Sequence, residues 1–114
     1  MKKLEAIINA NRLDEVKEAL SNEGVQAWTV LEAKGTTGTH EGPHETYRGV
    51  EYVVDYLPRV KIELFVSDDC ANRAVDAIRN AAHTGRHGDG NIFIWSIEDG
   101  VHIATGEHGS RATV

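Results

Sequence analysis

A glycine-rich turn late in the chain carries the plainest chemical signal in the sequence. Gly88, Asp89 and Gly90 follow closely after Gly85. Glycine lets the backbone approach a phosphate group closely, and successive backbone N–H groups can form a nest that binds an anion. The same pattern is also that of a plain helix-to-strand turn in which glycine serves only geometry. On these residues alone, the plain turn is the better interpretation.

A second group of residues lies in a connection of roughly 20 residues, far longer than a typical hairpin loop. This segment, at about 36–58, contains Tyr47, Arg48, Glu51 and Tyr52. Aromatic residues and arginine dominate binding hot spots, so the pattern predicts a loop that contacts a partner protein. The alternative, that Tyr52 merely begins the next strand and Tyr47 packs on the surface, stays open.

The six histidines do not predict a metal site. His40 and His44, and likewise His83 and His87, are four residues apart, which would align each pair on a helix. The first pair flanks a Gly-Pro sequence and the second straddles a helix end, so solvated histidines are expected. No paired acid and base and no nucleophile motif names a reaction, and no catalytic residue or enzyme activity is predicted.

Composition restricts the class of protein. The 114 residues predict a single domain, 1–114, with ordinary globular composition. The formal charge of −6 disfavours nucleic acid as a partner. No apolar run approaches the roughly 20 residues of a membrane helix, so the protein is not expected to be membrane-embedded. The single cysteine, Cys70, suits a reducing compartment, and the cytoplasm is the predicted location.

Hydrophobic periodicity predicts the elements that must position these groups. Apolar residues alternate where strands are predicted and recur every three or four residues where helices are predicted. The predicted elements are strand one at Lys2–Ile8, helix one at Arg12–Asn22, strand two at Val25–Lys34, strand three at Arg59–Val66, helix two from Ser67 to about His83, strand four at Asn91–Ile97 and a short extension at Val101–Ala104.

This order is that of an α+β, ferredoxin-like βαββαβ fold, an antiparallel four-stranded sheet with both helices on one face. The other face must also be covered. Since only two helices are available, burial against further copies of the same chain is predicted, giving a homo-oligomer.

The segments Lys2–Ile8, Tyr47–Glu63, Thr84–Gly90 and Thr105–Glu107 together resemble the PII signal-transduction proteins. The resemblance spans nearly the whole chain in the right order. It implies a compact homotrimer with adenine nucleotide sites in the clefts between subunits. ATP and ADP compete for these clefts in the family, and 2-oxoglutarate with Mg²⁺ joins ATP. It also implies that the long loop binds a protein target, such as the cytosolic face of a membrane transporter or a metabolic enzyme. A C-terminal tail at about 105–114 completes the chain.

The resemblance also implies site residues. In its context the turn residues Gly85, Gly88, Asp89 and Gly90 become nucleotide contacts, and Arg86 and His87 add polar groups beside them. Four further positions resemble the family's adenosine-side contacts: Ile7, Thr29, Gly35 and Glu63.

The departures from the family concentrate where phosphate charge is handled. Asn91 replaces a basic residue, and His102 and Ala104 replace two arginines. Since charge-assisted contacts to phosphate are roughly twice as strong as neutral ones, their loss predicts a preference for ADP or AMP over ATP, or poor discrimination among the nucleotides. With triphosphate binding weakened, Mg²⁺ is expected only as a companion of ATP.

The small-anion site is altered as well. Thr39 replaces a glutamine that helps to hold the oxoacid, and Arg59 stands where the family has a lysine. The planar fork of arginine suits a carboxylate or bicarbonate, so a carboxysome-associated PII-like sensor of bicarbonate and adenine nucleotide in inorganic-carbon regulation is an alternative. Tyr52 aligns with a tyrosine that some members carry as a uridylylation site. A slow nucleotide hydrolase and a structural trimeric adaptor are the remaining alternatives.

Overall fold

The computed structural model describes residues 1–35, 44–47, 50–53 and 57–109, and for 44–47, 50–53 and His87 it describes the backbone alone. Eight elements follow one another, with two 3₁₀ turns at Ala10–Arg12 and His87–Asp89. In chain order these are β1 (Lys2–Asn9), α1 (Leu13–Asn22), β2 (Thr29–Gly35), β3 (His44–Tyr47), β4 (Val50–Val53), β5 (Leu57–Val66), α2 (Asp68–Ala82) and β6 (Gly90–Ser96).

The main sheet has the strand order β2-β5-β1-β6, and all three pairings are antiparallel. Alternate residues of β1 and, from Val60 onward, of β5 are buried, as a strand with one covered face requires. Leu4, Ile62 and Leu64 are fully buried in this face. The sheet and the two helices confirm the predicted ferredoxin-like α+β fold.

Both helices pack their apolar stripes onto the same face of the sheet. α1 contributes Val16 and Leu20, and α2 contributes Ile78 together with three small buried residues, Ala71, Ala74 and Ala82. Alanine leaves little side chain between α2 and the strands, so the helix can approach the sheet closely. Neither helix is long and apolar enough to cross a membrane, and the same holds throughout the described residues.

Several predicted boundaries are corrected by the structure. Strand two begins at Thr29 rather than Val25, because the Val25 N–H donates to the Leu20 carbonyl at 3.0 Å and so closes the end of α1. Strand three begins earlier, at Leu57. The predicted extension at Val101–Ala104 is a turn held by an isolated bridge between Val101 and His108.

The long connection also differs from the predicted irregular loop. Its described residues form a two-stranded antiparallel hairpin, β3 with β4, in which Tyr47 pairs with Val50 and His44 pairs with Val53. Each strand has only four residues, so the alternation of its side chains is too short to predict a strand from the sequence. The strands become recognisable only through their backbone pairing with each other.

The sheet face away from the helices, here called the open face, combines charge with large apolar groups. Lys61 forms an ion pair with Glu5, and the Lys3 Nζ lies 3.6 Å from Glu63 Oε1. Around these charges four large apolar side chains are about half exposed: Leu31, Phe65, Phe93 and Trp95. The open face thus leaves several large apolar side chains partly exposed, as a surface that contacts a partner would.

We expect the core to dominate stability. Ile62→Ala removes buried side-chain volume and should lower the free energy of unfolding by about 2–5 kcal/mol. The matched change Ile103→Ala, at a residue that is 100% exposed, should alter it by less than about 0.5 kcal/mol. Urea unfolding at one fixed protein concentration checks both values, and equal effects would contradict the assigned core.

Candidate functional site

The glycine turn is organised by its own carboxylate. Asp89 Oδ2 accepts hydrogen bonds from the Thr84 N–H at 2.7 Å and the Gly85 N–H at 3.0 Å, and Oδ1 accepts one from the Thr84 hydroxyl. Burial alone would raise the pKa of Asp89, but the combined hydrogen bonds from Thr84, Gly85 and Arg86 outweigh it and lower this pKa. The carboxylate and the Gly85 N–H are therefore committed within the turn.

Gly90 lies against the backbone of β1. Its φ is +110°, and an added Cβ would stand 1.8 Å from the Ile7 carbonyl oxygen. No side chain fits in this space, so glycine is required by close approach as well as by conformation. The structure thus brings together two of the predicted contact residues, Ile7 and Gly90.

A buried arginine joins the turn to the centre of the sheet. Arg59 on β5 is only 5% exposed. Its Nη1 donates to Asn9 Oδ1 at 2.7 Å and to the Gly88 carbonyl oxygen. A Cβ added to Gly35 would lie 3.4 Å from Arg59 Cγ, so the end of β2 lies beside the same side chain. The predicted residues Gly35, Arg59 and Gly88 form one cluster.

The remaining predicted contacts, Thr29 and Glu63, are opposite each other in the β2–β5 register. They line a cavity of about 560 Å³ together with Trp28, Phe65 and Val101. The sequence prediction missed Trp28 and Phe65. The signal that could have found them is a large aromatic residue directly before β2 and another at an outward-facing position of β5.

The two groups lie on one face of the sheet. Glu63 and Arg59 are four residues apart on β5, which corresponds to about 13 Å along the strand. Between them, on the same face, lie Lys61 and its register partner Ile7. We call the open-face side chains from Thr29 and Glu63 to Arg59 the track; at its far end Arg59 donates to the Gly88 carbonyl oxygen of the glycine turn.

The side chains along this track carry little net positive charge. Glu63 Oε1 lies 3.6 Å from both Lys3 Nζ and Lys61 Nζ, so this carboxylate offsets the nearest lysines. Asn91, directly after Gly90, pairs with Ile7 and contributes no charge. Arg86 is exposed at the start of the turn. His87 is described in its backbone alone.

The segment that holds His102 and Ala104 is folded back on itself. Asp99 accepts hydrogen bonds from the His108 ring at 2.7 Å, from the Gly100 N–H at 2.8 Å and from the Gly109 N–H at 3.0 Å. The bond from His108, followed by that from Gly100, lowers the pKa of Asp99. The resulting turn exposes Ala104 and leaves His102 Nδ1 3.4 Å from the Thr105 hydroxyl.

Other predicted residues stand apart from this track. Tyr47, Glu51 and Tyr52 lie in the β3–β4 hairpin. Arg48 and Thr39 lie outside the described residues, as does the end of the predicted tail. Their partner-binding and modification roles stay predictions.

Among the described residues, no three His, Cys, Asp or Glu side chains are grouped as a metal site requires. Cys70 is a free thiol, partly buried against the core.

Fold and site together define a class: a ferredoxin-like α+β protein with a glycine turn closing one end of a track on its open sheet face. A family model described as Nitrogen regulatory protein P-II matches residues 1–107. Curated relatives called Nitrogen regulatory protein P-II, from Bradyrhizobium diazoefficiens and Rhodospirillum rubrum, are 59% and 57% identical over 112 residues, covering 98% of this chain and 99% of each relative. The chain belongs to the nitrogen regulatory protein P-II family.

We expect the Asp89 carboxylate to order the turn. In Asp89→Ala the Thr84 and Gly85 amides lose their acceptor and should exchange with solvent roughly tenfold faster. The pKa of Asp89 is lower in the folded protein than in the unfolded chain, so its charged form stabilises the folded turn. This stabilisation is fully present above the unfolded-state pKa of about 3.9 and is lost as the pH falls through the lower folded-state pKa. Amide exchange and an acid titration followed by NMR check both effects. Asp76→Ala, an exposed change on α2, is the control and should leave both amides unchanged.

Proposed function

We propose that this protein is a regulatory, signal-transducing protein that binds an adenine nucleotide and passes its state to a protein target in the cytoplasm. Family membership supports regulation. The single observation that supports nucleotide binding is the track on the open face, which joins a cavity with aromatic walls to a glycine turn in close contact with β1. A base suits the cavity, and phosphate suits the turn.

The charges of the track favour ADP or AMP over ATP. Asp89 places a carboxylate within the turn, and Asn91 adds no positive charge beside it. A third phosphate brings further negative charge without a fixed cation to receive it. Mg²⁺ enters this proposal only as the companion of ATP.

A second ligand class is favoured by Arg59. Its Nη1 bonds two neutral oxygens, and no ion pair to a carboxylate is found for it among the described residues. The guanidinium thus carries a positive charge that no described carboxylate neutralises, and a planar group of this kind suits a small anion. Bicarbonate or 2-oxoglutarate would be recognised through its carboxylate, which supports the carbon-regulation alternative.

The output is assigned to the long connection. Its hairpin, β3 with β4, stands outside the main sheet, and Tyr47, Glu51 and Tyr52 occur in it. We propose this segment as the surface for a protein target, either the cytosolic face of a transporter or a metabolic enzyme, with Tyr52 as a modification site.

A homotrimer is part of the same proposal, because the open face leaves apolar side chains half exposed. Trp95→Glu should convert a trimer into monomers, since it places a charge in that interface. Asn72→Glu, which adds the same side chain on the exposed side of α2, should leave the trimer intact. Sedimentation equilibrium measures both, and a monomeric unsubstituted protein would refute the trimer.

Nucleotide preference is tested by calorimetric titration with ADP, AMP and ATP. We expect ATP to bind no more tightly than ADP. Asn91→Lys should raise the ATP affinity about tenfold, as a charge-assisted contact would. Asn80→Lys, an exposed change on α2, should have no effect. Unsubstituted protein that binds ATP at least tenfold more tightly than both ADP and AMP would overturn the proposed preference.

Two glycine variants locate the site. Gly90→Ala forces a Cβ onto the Ile7 carbonyl and should abolish nucleotide binding. Gly24→Ala is the control: it carries a similar backbone strain at φ +80°, but nothing lies within 4 Å of the added Cβ, so binding should be retained. Binding that survives in Gly90→Ala would remove the turn from the site. An absence of binding for all three nucleotides in the unsubstituted protein would favour the structural adaptor, and ADP released from ATP over time would favour the slow hydrolase.

A further inference from the structure

One carboxylate closes the segment that follows β6 into a turn, 99–109, here called the Asp99 turn. Asp99 Oδ1 accepts hydrogen bonds from the Gly100 N–H at 2.8 Å and from the Gly109 N–H at 3.0 Å. The other oxygen, Oδ2, lies 2.7 Å from His108 Nδ1. The Asp99 side chain therefore joins the beginning of the turn to its end.

The charge of the His108 ring sets the strength of this closure. Hydrogen bonds, that from His108 first, lower the pKa of Asp99, so the carboxylate is ionised near neutral pH. An ionised carboxylate only accepts hydrogen bonds, so Nδ1 carries a proton whether the ring is neutral or charged, and Nε2 is the nitrogen that gains or loses one. The bond to a charged ring is charge-assisted and roughly twice as strong as the bond to a neutral ring.

The Asp99 turn is also part of the wall of the cavity at Thr29 and Glu63. Asp99, Gly100 and Val101 line this cavity. Asp99 binds the Gly100 N–H directly, and Val101 forms the isolated bridge with His108. The residues that close the turn are therefore those that hold this wall in place.

Other titratable groups lie in the turn or across the cavity. Those within or beside the turn are Glu98, His102 and Glu107. The two glutamates keep their charge near neutral pH, whereas a second histidine can titrate in the same range as the first. Across the cavity, Glu63 lies between two lysines, and the Met1 amino group is paired with Asp68 at 2.8 Å. An α-amino group can also lose its proton near neutral pH, so only substitution isolates the effect of His108.

We propose that His108 is a positioning residue that closes the Asp99 turn against the cavity, and that it does so more tightly when its ring is protonated. The charge-assisted part of the contact is present at the lower pH and is lost as the pH rises, because the ring then becomes neutral while Asp99 stays charged. The side chains of His108 and Asp99 are 65% and 51% exposed. Since solvent screens such a pair, the change is graded rather than all-or-none.

The first test is solvent exchange of the Gly109 amide, measured by NMR on the full chain without nucleotide at about pH 6 and about pH 8, on the two sides of ordinary histidine titration. Division by the rate of an unstructured amide at the same pH removes the intrinsic pH dependence. Protection in the unsubstituted protein should be about two- to fivefold greater at the lower pH. In His108→Gln, which keeps an N–H donor but has no titrating ring, protection should be equal at both pH values.

Two further variants keep this result interpretable. Asp99→Asn removes the charge that the ring pairs with and should also abolish the pH dependence, so it serves if His108→Gln does not fold. His102→Gln is the matched control, because it removes the other histidine of the turn, whose Nδ1 lies 3.4 Å from the Thr105 hydroxyl. It should keep the full pH dependence.

The second test concerns the cavity and rests on the proposed nucleotide function. Calorimetric titration gives the ratio of ADP affinities at the two pH values. Because ADP itself titrates, this ratio is compared between the unsubstituted protein and His108→Gln, and it should be about twofold or more higher in the unsubstituted protein.

The outcomes separate the two proposals. Protection that is equal at both pH values in the unsubstituted protein, or that stays pH-dependent in His108→Gln, overturns the role of His108. Loss of the pH dependence in His102→Gln would overturn a specific role for His108 as well. Equal affinity ratios would overturn the link between the Asp99 turn and the cavity. Confirmed protection in a protein that binds none of the three nucleotides would overturn the proposed function alone and leave the closure by His108 standing.

Discussion

The antiparallel pairing of β1 with β5 places almost every other group in this protein. Because side chains alternate across a strand, this one register puts Leu4 and Ile62 beneath the helices and, at the same time, puts Ile7 and Lys61 on the open face. A slip of one residue would exchange the two sets. The large cost of exposing the core therefore also fixes the geometry of the candidate site, although the site residues contribute little to the core.

On this framework, the polar groups are largely committed to one another. Asp89 binds the amides of its own turn, Arg59 binds Asn9 and Gly88, and Glu63 lies between two lysines. Such a site is preorganised, because its groups are held before a ligand arrives. The site also has little positive charge that is not already offset by carboxylates. The proposed ligand is therefore ADP or AMP, which carry fewer phosphates than ATP, or a small anion at Arg59.

The open face links assembly to the site. Phe65 and Trp28 line the cavity, and Phe65 also belongs to the half-exposed apolar groups of this face. A further copy of the chain that covers these groups would close the cavity from the side that is open in one subunit. Assembly and ligand binding would then share the same apolar surface, and each would stabilise the other by mass action.

The sequence by itself determined the helices, the main strands and the glycine turn, because a period of two or of 3.6 residues and a Gly-Asp-Gly pattern are local properties. It predicted Ile7, Gly35, Thr29 and Glu63 only through family resemblance. Tertiary structure decided that Arg59 reaches Gly88, 29 residues away, since no local periodicity specifies that β1 lies between β5 and β6. It also decided the aromatic cavity, because Trp28, Phe65 and Val101 meet only when distant segments lie side by side. The closure of α1 by Val25 and the β3–β4 ladder depend on backbone hydrogen bonds between residues close in the sequence, which side-chain periodicity does not specify.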